Sequence, residues 1–592
     1  MAAAGAAAED RAGDAQYRVA AAPTIAAVDR RAFLRGLGAL AGGAAAGAVA
    51  AGCGGAGAAA RLAQAGRPGA PRRGHLRARE GPGIREVDGL PVADWVVEEN
   101  RRPGTLRWVI HPTPLPAGAL PPWPAAIEGF ADRTSCQRGD EVGLYVSAAA
   151  PEFKAEVYRM GYYGGRGARL VATTRERGAR RQPTPPPVPV TNMVECRWRR
   201  SLGLEVGPDW LPGAYLIKLL GSDGSSHYVP LTVRDDASEA AIAVQSSVTT
   251  WQAYNLWGGY SLYGGAPTGA LADRSRIVSF DRPYRNPDEN GSGDFLGNEY
   301  PFIYLCERQG LDVTYWTDVD LHERPELLAR HRLLVSLGHD EYWSWQMRFN
   351  GVMDHLATGT NVAFLGANAC YRQIRLEPSP LGAGRREICY KDALADPIYS
   401  KDPKLATGAS WATDPVPYPE SEMIGIMYQA YGADAPFVVA DASSWVFAGT
   451  GLRDGDAIAV PGGGRQVVGS EFDGFEPALP GPRNVDILAH SPATSVAGQL
   501  YSDASYYTHG RGGGVFATGT ASWVQLLWDG APALDGALSF GVSPAVRPLT
   551  RITLNVLAEL SAGPAGLRRP STGSWRRFYS RSTPAVRSVD VP

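Results

Sequence analysis

Arg332-Leu333-Leu334-Val335-Ser336-Leu337-Gly338-His339-Asp340-Glu341-Tyr342-Trp343-Ser344 is the stretch from which the fold can be read. An apolar run ends in a glycine and then in ionisable and aromatic side chains, and residues 345–358 beyond it suit a helix. A strand feeding a helix through a polar turn is the repeating unit of a parallel α/β sheet. Working outward, residues 241–244, 276–280, 311–315 and 361–365 read as further strands, with a helix at 300–309. Residues 514–518 precede helix-like segments at 523–527 and 550–560. The expectation is an α/β core over 236–562 with a mostly parallel sheet, and β insertions because 405–480 reads as short strands and turns.

Upstream the texture is different. Short alternating runs at 141–146, 153–158, 214–220 and 227–233, separated by Gly, Pro and Asp, suit antiparallel strands, so 95–235 is expected to be a β-sandwich-like domain with a proline-rich loop at 183–189. Residues 1–53 read as an address. Arg30-Arg31 before Phe33-Leu34, then a Gly/Ala-rich apolar stretch, has the layout of a twin-arginine export signal. Val49-Ala50-Ala51-Gly52-Cys53 looks like a lipobox with Ala50 in place of leucine, which would make Cys53 a lipid anchor and the protein extracytoplasmic. Residues 54–94 read as a flexible tether and 563–592 as a loose tail.

Composition sets outer bounds. The chain has 592 residues with 58 Lys+Arg against 60 Asp+Glu, a net charge of −2 that excludes a general nucleic-acid binder. With 44% hydrophobic residues it can bury large cores despite 71 Gly and 46 Pro. Six cysteines without a CxxC pair support neither a disulfide scaffold nor a zinc ribbon. No internal repeat is present.

Three polar strand ends carry the chemistry. His339, Asp340 and Glu341 offer a general base, a metal ligand or a helix cap; the blander alternative is capping carboxylates beside a buried histidine. Gly366 to Arg372 contains Asn368, which can orient a carbonyl or water, and Cys370, which lacks a nucleophile elbow and is equally a small buried hydrophobe. Gly469 to Gly474 contains Glu471, suited to carrying protons. The aromatic and amide-rich segment 250–263 can line a pocket or supply a metal-bound tyrosine. Lys391, one of five lysines, can set a positive charge beside an oxyanion.

Together VYRMGYYGG (157–165), WQAYNLWGG (251–259), SLGHDEYWS (336–344), LGAN (365–368) and VGSEFDG (468–474) resemble the N,N-dimethylformamidase large (beta) subunit family over about 125–560. The resemblance implies a glutamine-amidotransferase-like core and an iron-dependent hydrolase of a small amide C–N bond. It also implies a mononuclear Fe(III) held by two tyrosines and a glutamate. On this sequence Glu341 takes the glutamate position, Tyr254 and Tyr215 are the first choices for the tyrosines, and Tyr263 is the alternative. His339, Asn368, Lys391 and Glu471 match the surrounding polar residues. The export signal departs from that family, whose amidase resembles a cytosolic enzyme with a small second subunit. A homo-oligomer is also open. The competing expectation is an exported glycan- or ligand-binding protein without catalysis, using Trp251, Trp257 and Trp343 as stacking surfaces.

Overall fold

The strand Leu333–Gly338 is buried along its whole length and has parallel neighbours on both sides, Ile242–Ser246 and Asn361–Gly366. Burial on both faces is why it reads as a continuous apolar run rather than an alternation. It lies in a seven-stranded sheet ordered Val313–Thr317, Ile242–Ser246, Leu333–Gly338, Asn361–Gly366, Gly514–Ala517, Gly498–Thr508, Asp486–Ser495. The first five strands are mutually parallel, and Gly498–Thr508 pairs antiparallel with both Gly514–Ala517 and Asp486–Ser495. The chain therefore has an α/β domain with mixed parallel and antiparallel sheets. The computed structural model describes residues 83–111, 123–285, 290–413, 415, 417–460, 465–530 and 542–579. The expected export signal, Cys53 and most of the tether lie outside them, and among the described residues no helix is long and apolar enough to cross a membrane.

From Ile242–Ser246 the chain runs to a strand on one side and then returns to Leu333–Gly338 on the other. The carboxyl ends of these two strands form a topological switch point, where an α/β sheet opens a crevice. The strands approach closely there: a Cβ on Gly366 would collide with the Gly338 carbonyl. A four-stranded sheet lies beyond, ordered Ile277–Ser279, Gly382–Ile388, Arg372–Ser379, Tyr342–Ser344. The run at 276–280 was expected in the main sheet. It instead pairs antiparallel with Gly382–Ile388, having left the main sheet through the long segment after Tyr254.

Ahead of the core, a three-stranded sheet (Ile127–Ala131, Glu141–Ala148, Leu202–Glu205) and a six-stranded sheet built around Glu152–Met160, Gly213–Gly221 and Ser226–Val233 share an apolar core that includes Leu144, Val157, Ile217 and Leu231. A buried ion pair ties the second sheet to the α/β part. Arg159, fully buried, meets Glu307 at 2.8 Å, and Glu307 also accepts from Tyr315 Oη at 2.6 Å and Asn100 Nδ2 at 2.5 Å. Glu307 lies on the helix Tyr300–Gln309, where the sequence places one, which starts with Pro301 in its first turn and stops at Gly310 in the left-handed region (φ 68°).

Two boundaries and one helical turn differ from expectation. The tether ends early, because Asp88 (φ 51°) and Gly89 (φ 81°) turn Ile84–Val87 back onto Leu90–Ala93. Asp-Gly between short apolar runs is a hairpin signal. The helix at 345–358 opens with a π-helical turn, Gln346–Met353, before Asp354–Thr358. In the supposed loose tail, Trp575 packs 5.1 Å from Phe475 and Tyr579 packs 5.4 Å from it, so aromatic anchors hold an Arg- and Ser-rich segment.

His331 connects the fold to pH. Its Nδ1 donates to the Ala240 carbonyl at 2.7 Å, and burial pushes the imidazole down to about 4. The unfolded chain takes up a proton near pH 6.5 while the native state does not, so this contribution is complete above 6.5 and is lost as pH falls toward 4. In H331N, whose amide can still donate to Ala240, denaturant titrations at pH 7 and pH 5 should show a stability loss smaller than wild type by about 2 kcal/mol. Equal losses would remove His331 from the acid limb.

Candidate functional site

Glu341 is 1% exposed at the switch point, so its carboxylate needs donors from the protein. Tyr263 Oη donates to it at 2.6 and 2.8 Å and Tyr254 Oη at 2.7 Å; the phenol oxygens are 2.9 Å apart and the rings stack at 4.4 Å. Arg372 Nε approaches at 3.3 Å. Tyr254 is the last residue of the helix Val248–Tyr254, which follows the first strand of the core, while Tyr263 lies in the succeeding turn. The backbone N–H of Glu341 donates to Thr250 Oγ1 at 2.9 Å, and that of Arg372 to the Glu341 carbonyl at 2.8 Å, so both ends of the residue are fixed. Burial pushes both phenols well above the ordinary range, and the Glu341 charge adds to it.

A second group adjoins the first. His339 Nε2 lies 3.1 Å from Glu471 Oε2 and 3.6 Å from Glu341 Oε2, and Asn368 Nδ2 donates to the same Glu471 oxygen at 2.9 Å. Burial opposes the imidazolium, but Glu471 and Glu341 outweigh it and push His339 up to about 9. Burial likewise opposes the Glu471 charge, which His339 outweighs, holding that carboxyl below its ordinary value. The two groups therefore form a partly exposed ion pair. Glu471 arrives from the strand Val468–Gly474, outside the main sheet. Lys391 Nζ sits 3.3 Å above the Tyr263 ring, buried with no hydrogen-bond partner; burial and the Arg372 charge pull it down to about 7.

The backbone here is strained. Asn368 (φ 57°), Cys370 (54°), Lys391 (55°) and Ser470 (40°) all occupy the left-handed region. Non-glycine residues persist in it only when their surroundings over-determine them. Asp473 Oδ1 does this for Asn368 by accepting its backbone N–H at 2.8 Å.

The structure thus brings together Tyr254, Tyr263, Glu341, His339, Asn368, Glu471 and Lys391. Tyr215 does not join them. It lies in the apolar core between the N-terminal sheets, stacked 5.4 Å from Trp210, with its Oη donating to the Leu211 carbonyl at 2.7 Å. Cys370 is buried and its thiol is pushed up to about 12, the wrong direction for a nucleophile. Trp251, Trp257 and Trp343 are at most 2% exposed and offer no stacking surface. Arg372, Asp473 and Thr250 had no role assigned from sequence; each stands inside or beside a motif that already contained a site residue.

Among the described residues no three His, Cys, Asp or Glu side chains are grouped to hold a metal. A Tyr–Tyr–Glu set is a different donor class, all oxygen, of the kind hard cations take. The left-handed turn at Asn368 gives a direct test. N368G and N368A remove the same side chain, but only alanine strains the turn, so N368G should be the more stable by about 1 kcal/mol in denaturant titration. Equal stability would mean that the turn relaxes.

A family model described as N,N-dimethylformamidase beta subunit-like, C-terminal, matches residues 154–533, a span containing the whole cluster. The N,N-dimethylformamidase beta subunit of Alcaligenes sp is 25% identical over 291 residues, covering 43% of this chain and 38% of that protein. The corresponding subunit of Paracoccus aminophilus is 25% identical over 259 residues, covering 38% of this chain and 34% of its own. The chain therefore matches little more than a third of either relative's length. A solved Paenibacillus sp. cycloisomaltooligosaccharide glucanotransferase, complexed with cycloisomaltoheptaose, covers 20% of this chain and 15% of its own. Its 12% identity and TM-score of 0.12 are too low to bear on the fold.

Proposed function

The chain belongs to the N,N-dimethylformamidase beta subunit-like family, and from that premise we propose that it is an iron-dependent hydrolase of a small amide C–N bond. The observation that carries this reading is the convergence of Tyr254, Tyr263 and Glu341, whose oxygens lie 2.6–2.9 Å from one another, beside the His339–Glu471 pair. These residues fit a hard cation by donor chemistry, because two phenols and a carboxylate supply only oxygen. Fe(III) held there would supply Lewis acidity toward an amide carbonyl or a water and favour the phenolate forms. The Arg372 contact fixes the orientation of Glu341. We also read the core as glutamine-amidotransferase-like and the two N-terminal sheets as a β-sandwich; the strand order and the shared apolar core support this.

The remaining residues handle protons. Glu471, partly exposed beside the cluster, takes a proton from the attacking water, whose oxygen forms the new bond to the acyl carbon. His339, bonded to Glu471, returns a proton to the leaving nitrogen as the C–N bond breaks, so the products are a carboxylic acid and an amine. Lys391 Nζ, buried without an acceptor, donates to the oxyanion that develops at the carbonyl.

Metal content separates the donors from their neighbours. E341Q, Y254F and Y263F should each lose stoichiometric iron by elemental analysis, together with visible phenolate absorption, while Y215F keeps both. Full iron in E341Q would sink the assignment. E471Q should retain iron and lower kcat roughly 10²–10⁴-fold on a responsive amide; unchanged kcat would remove Glu471 from proton transfer.

A further inference from the structure

Two aromatic side chains outside the proton chemistry stand beside the cluster. Tyr371 and Tyr428 are both part-buried, with ring centroids 5.3 Å apart and planes inclined at 55°. Tyr371 is held from the site side. The N–H of Cys370 before it donates to the Asp340 carbonyl and that of Arg372 after it to the Glu341 carbonyl, each at 2.8 Å, and the Arg372 guanidinium lies 4.6 Å above its ring. Tyr428 belongs to the strand Met427–Ala435, directly opposite Asp473 of Val468–Gly474. Opposite residues of an antiparallel pair share a face, as do residues two apart on one strand, so Tyr428 is on the side from which Asp473 and Glu471 reach Asn368. The charges of Glu471 and Glu341 add to burial in pushing its phenol up. A register shift between Tyr428 and Ala430 puts Tyr431 on this face too, opposite Glu471, while Ala430 opposite Phe472 turns into the apolar core. Tyr431 is 41% exposed, so the rings run from the cluster toward solvent. The faces of Tyr254 and Tyr263, by contrast, are taken up: they stack on each other, His339 lies 5.4 Å from Tyr254 and Lys391 covers Tyr263.

We infer that Tyr428, backed by Tyr371, is the specificity surface that receives the N-alkyl groups of the substrate amide, and that this surface, continued by Tyr431, takes N-alkyl groups longer than methyl. The inference rests on the amide-hydrolase reading and deepens it. In that reading the carbonyl oxygen faces Lys391 and the leaving nitrogen faces His339. His339 is bonded to Glu471, so the substituents on that nitrogen extend toward the strand pair that carries Tyr428. An alkyl group gains there by leaving water for a ring face, roughly fourfold in affinity for each methylene fully buried. Ethyl groups cover more of the strip than methyl groups do.

Ligand-observed NMR titrations of the full chain with N,N-dimethylacetamide and N,N-diethylacetamide, in wild type, Y428A and Y428F, test this. Wild type should bind the diethyl amide at least about fourfold more tightly. Y428F keeps the ring and should keep the preference, whereas Y428A should bind the two alike. Equal affinities or a dimethyl preference in wild type, a preference that survives in Y428A, its loss in Y428F, or no binding of either amide would overturn the inference; if Y428A does not fold, wild type and Y428F decide. Turnover of the same pair is followed separately, and there Y428A should raise KM far more than it lowers kcat. A diethyl preference without hydrolysis leaves the Tyr428 surface standing and removes the hydrolase reading. Hydrolysis of both amides with equal affinity does the reverse.

Discussion

A carboxylate that is almost wholly buried is the constraint on which this structure depends. Isolated in a protein interior, the Glu341 charge would cost several kcal/mol, so the fold has to deliver donors to it from several directions. It does so with two phenols, a guanidinium and a backbone clamp on either side of the residue. None of these partners is adjacent in sequence. They meet because the switch point opens between Ile242–Ser246 and Leu333–Gly338, so that the helix after one strand and the turn after the other face each other.

The second constraint is strain. Four non-glycine residues around the cluster are held at positive φ, each costing of order 1–3 kcal/mol. Their surroundings must be rigid enough to prevent relaxation. Asp473 supplies that locally for Asn368, and the collision that a side chain at Gly366 would make with the Gly338 carbonyl shows how tightly the strand ends are packed. Farther out, the Arg159–Glu307 pair fixes the N-terminal sheets on the core through a geometry satisfied on both sides, and this gives the aromatic run at 157–165 a structural meaning. Removing one partner would strand a buried charge.

The core was legible in sequence where physics is local. Runs buried on both faces announced Leu333–Gly338 and Asn361–Gly366, and the helix Tyr300–Gln309 was bounded by a proline and a glycine. His339, Glu341 and Asn368 could be found because they stand where such runs stop. The tyrosines were harder to assign. Tyr215 and Tyr254 are both buried aromatics next to apolar runs, and only the fold tells a phenol bonded to a nearby carbonyl from one bonded to a carboxylate 87 positions away. Arg372 and Asp473 were invisible for the same reason, since their partners are distant. The hairpin at 84–93 and the packed tail near Trp575 were missed because composition hid short specific signals, an Asp-Gly turn and a few aromatic anchors.

Tyr254, His339, Glu341 and Asn368 come from strand ends of the main sheet or the helix that follows one, whereas Glu471 and Lys391 come from strands or turns outside it. The scaffold thus provides most of the oxygen donors and the insertions provide much of the proton handling. The two parts meet through the His339–Glu471 pair, the Asn368 backbone N–H to Asp473, and the hydrogen bond from Asn368 Nδ2 to Glu471 Oε2. That bond orients the Asn368 amide, leaves its oxygen unpaired, and helps stabilise the carboxylate that holds His339 charged. The same contact thus bears on both the charge state of the His339–Glu471 pair and the hydrogen-bond polarity at Asn368. A change to Glu471 would alter both together, which is why neither can be understood from the main sheet alone.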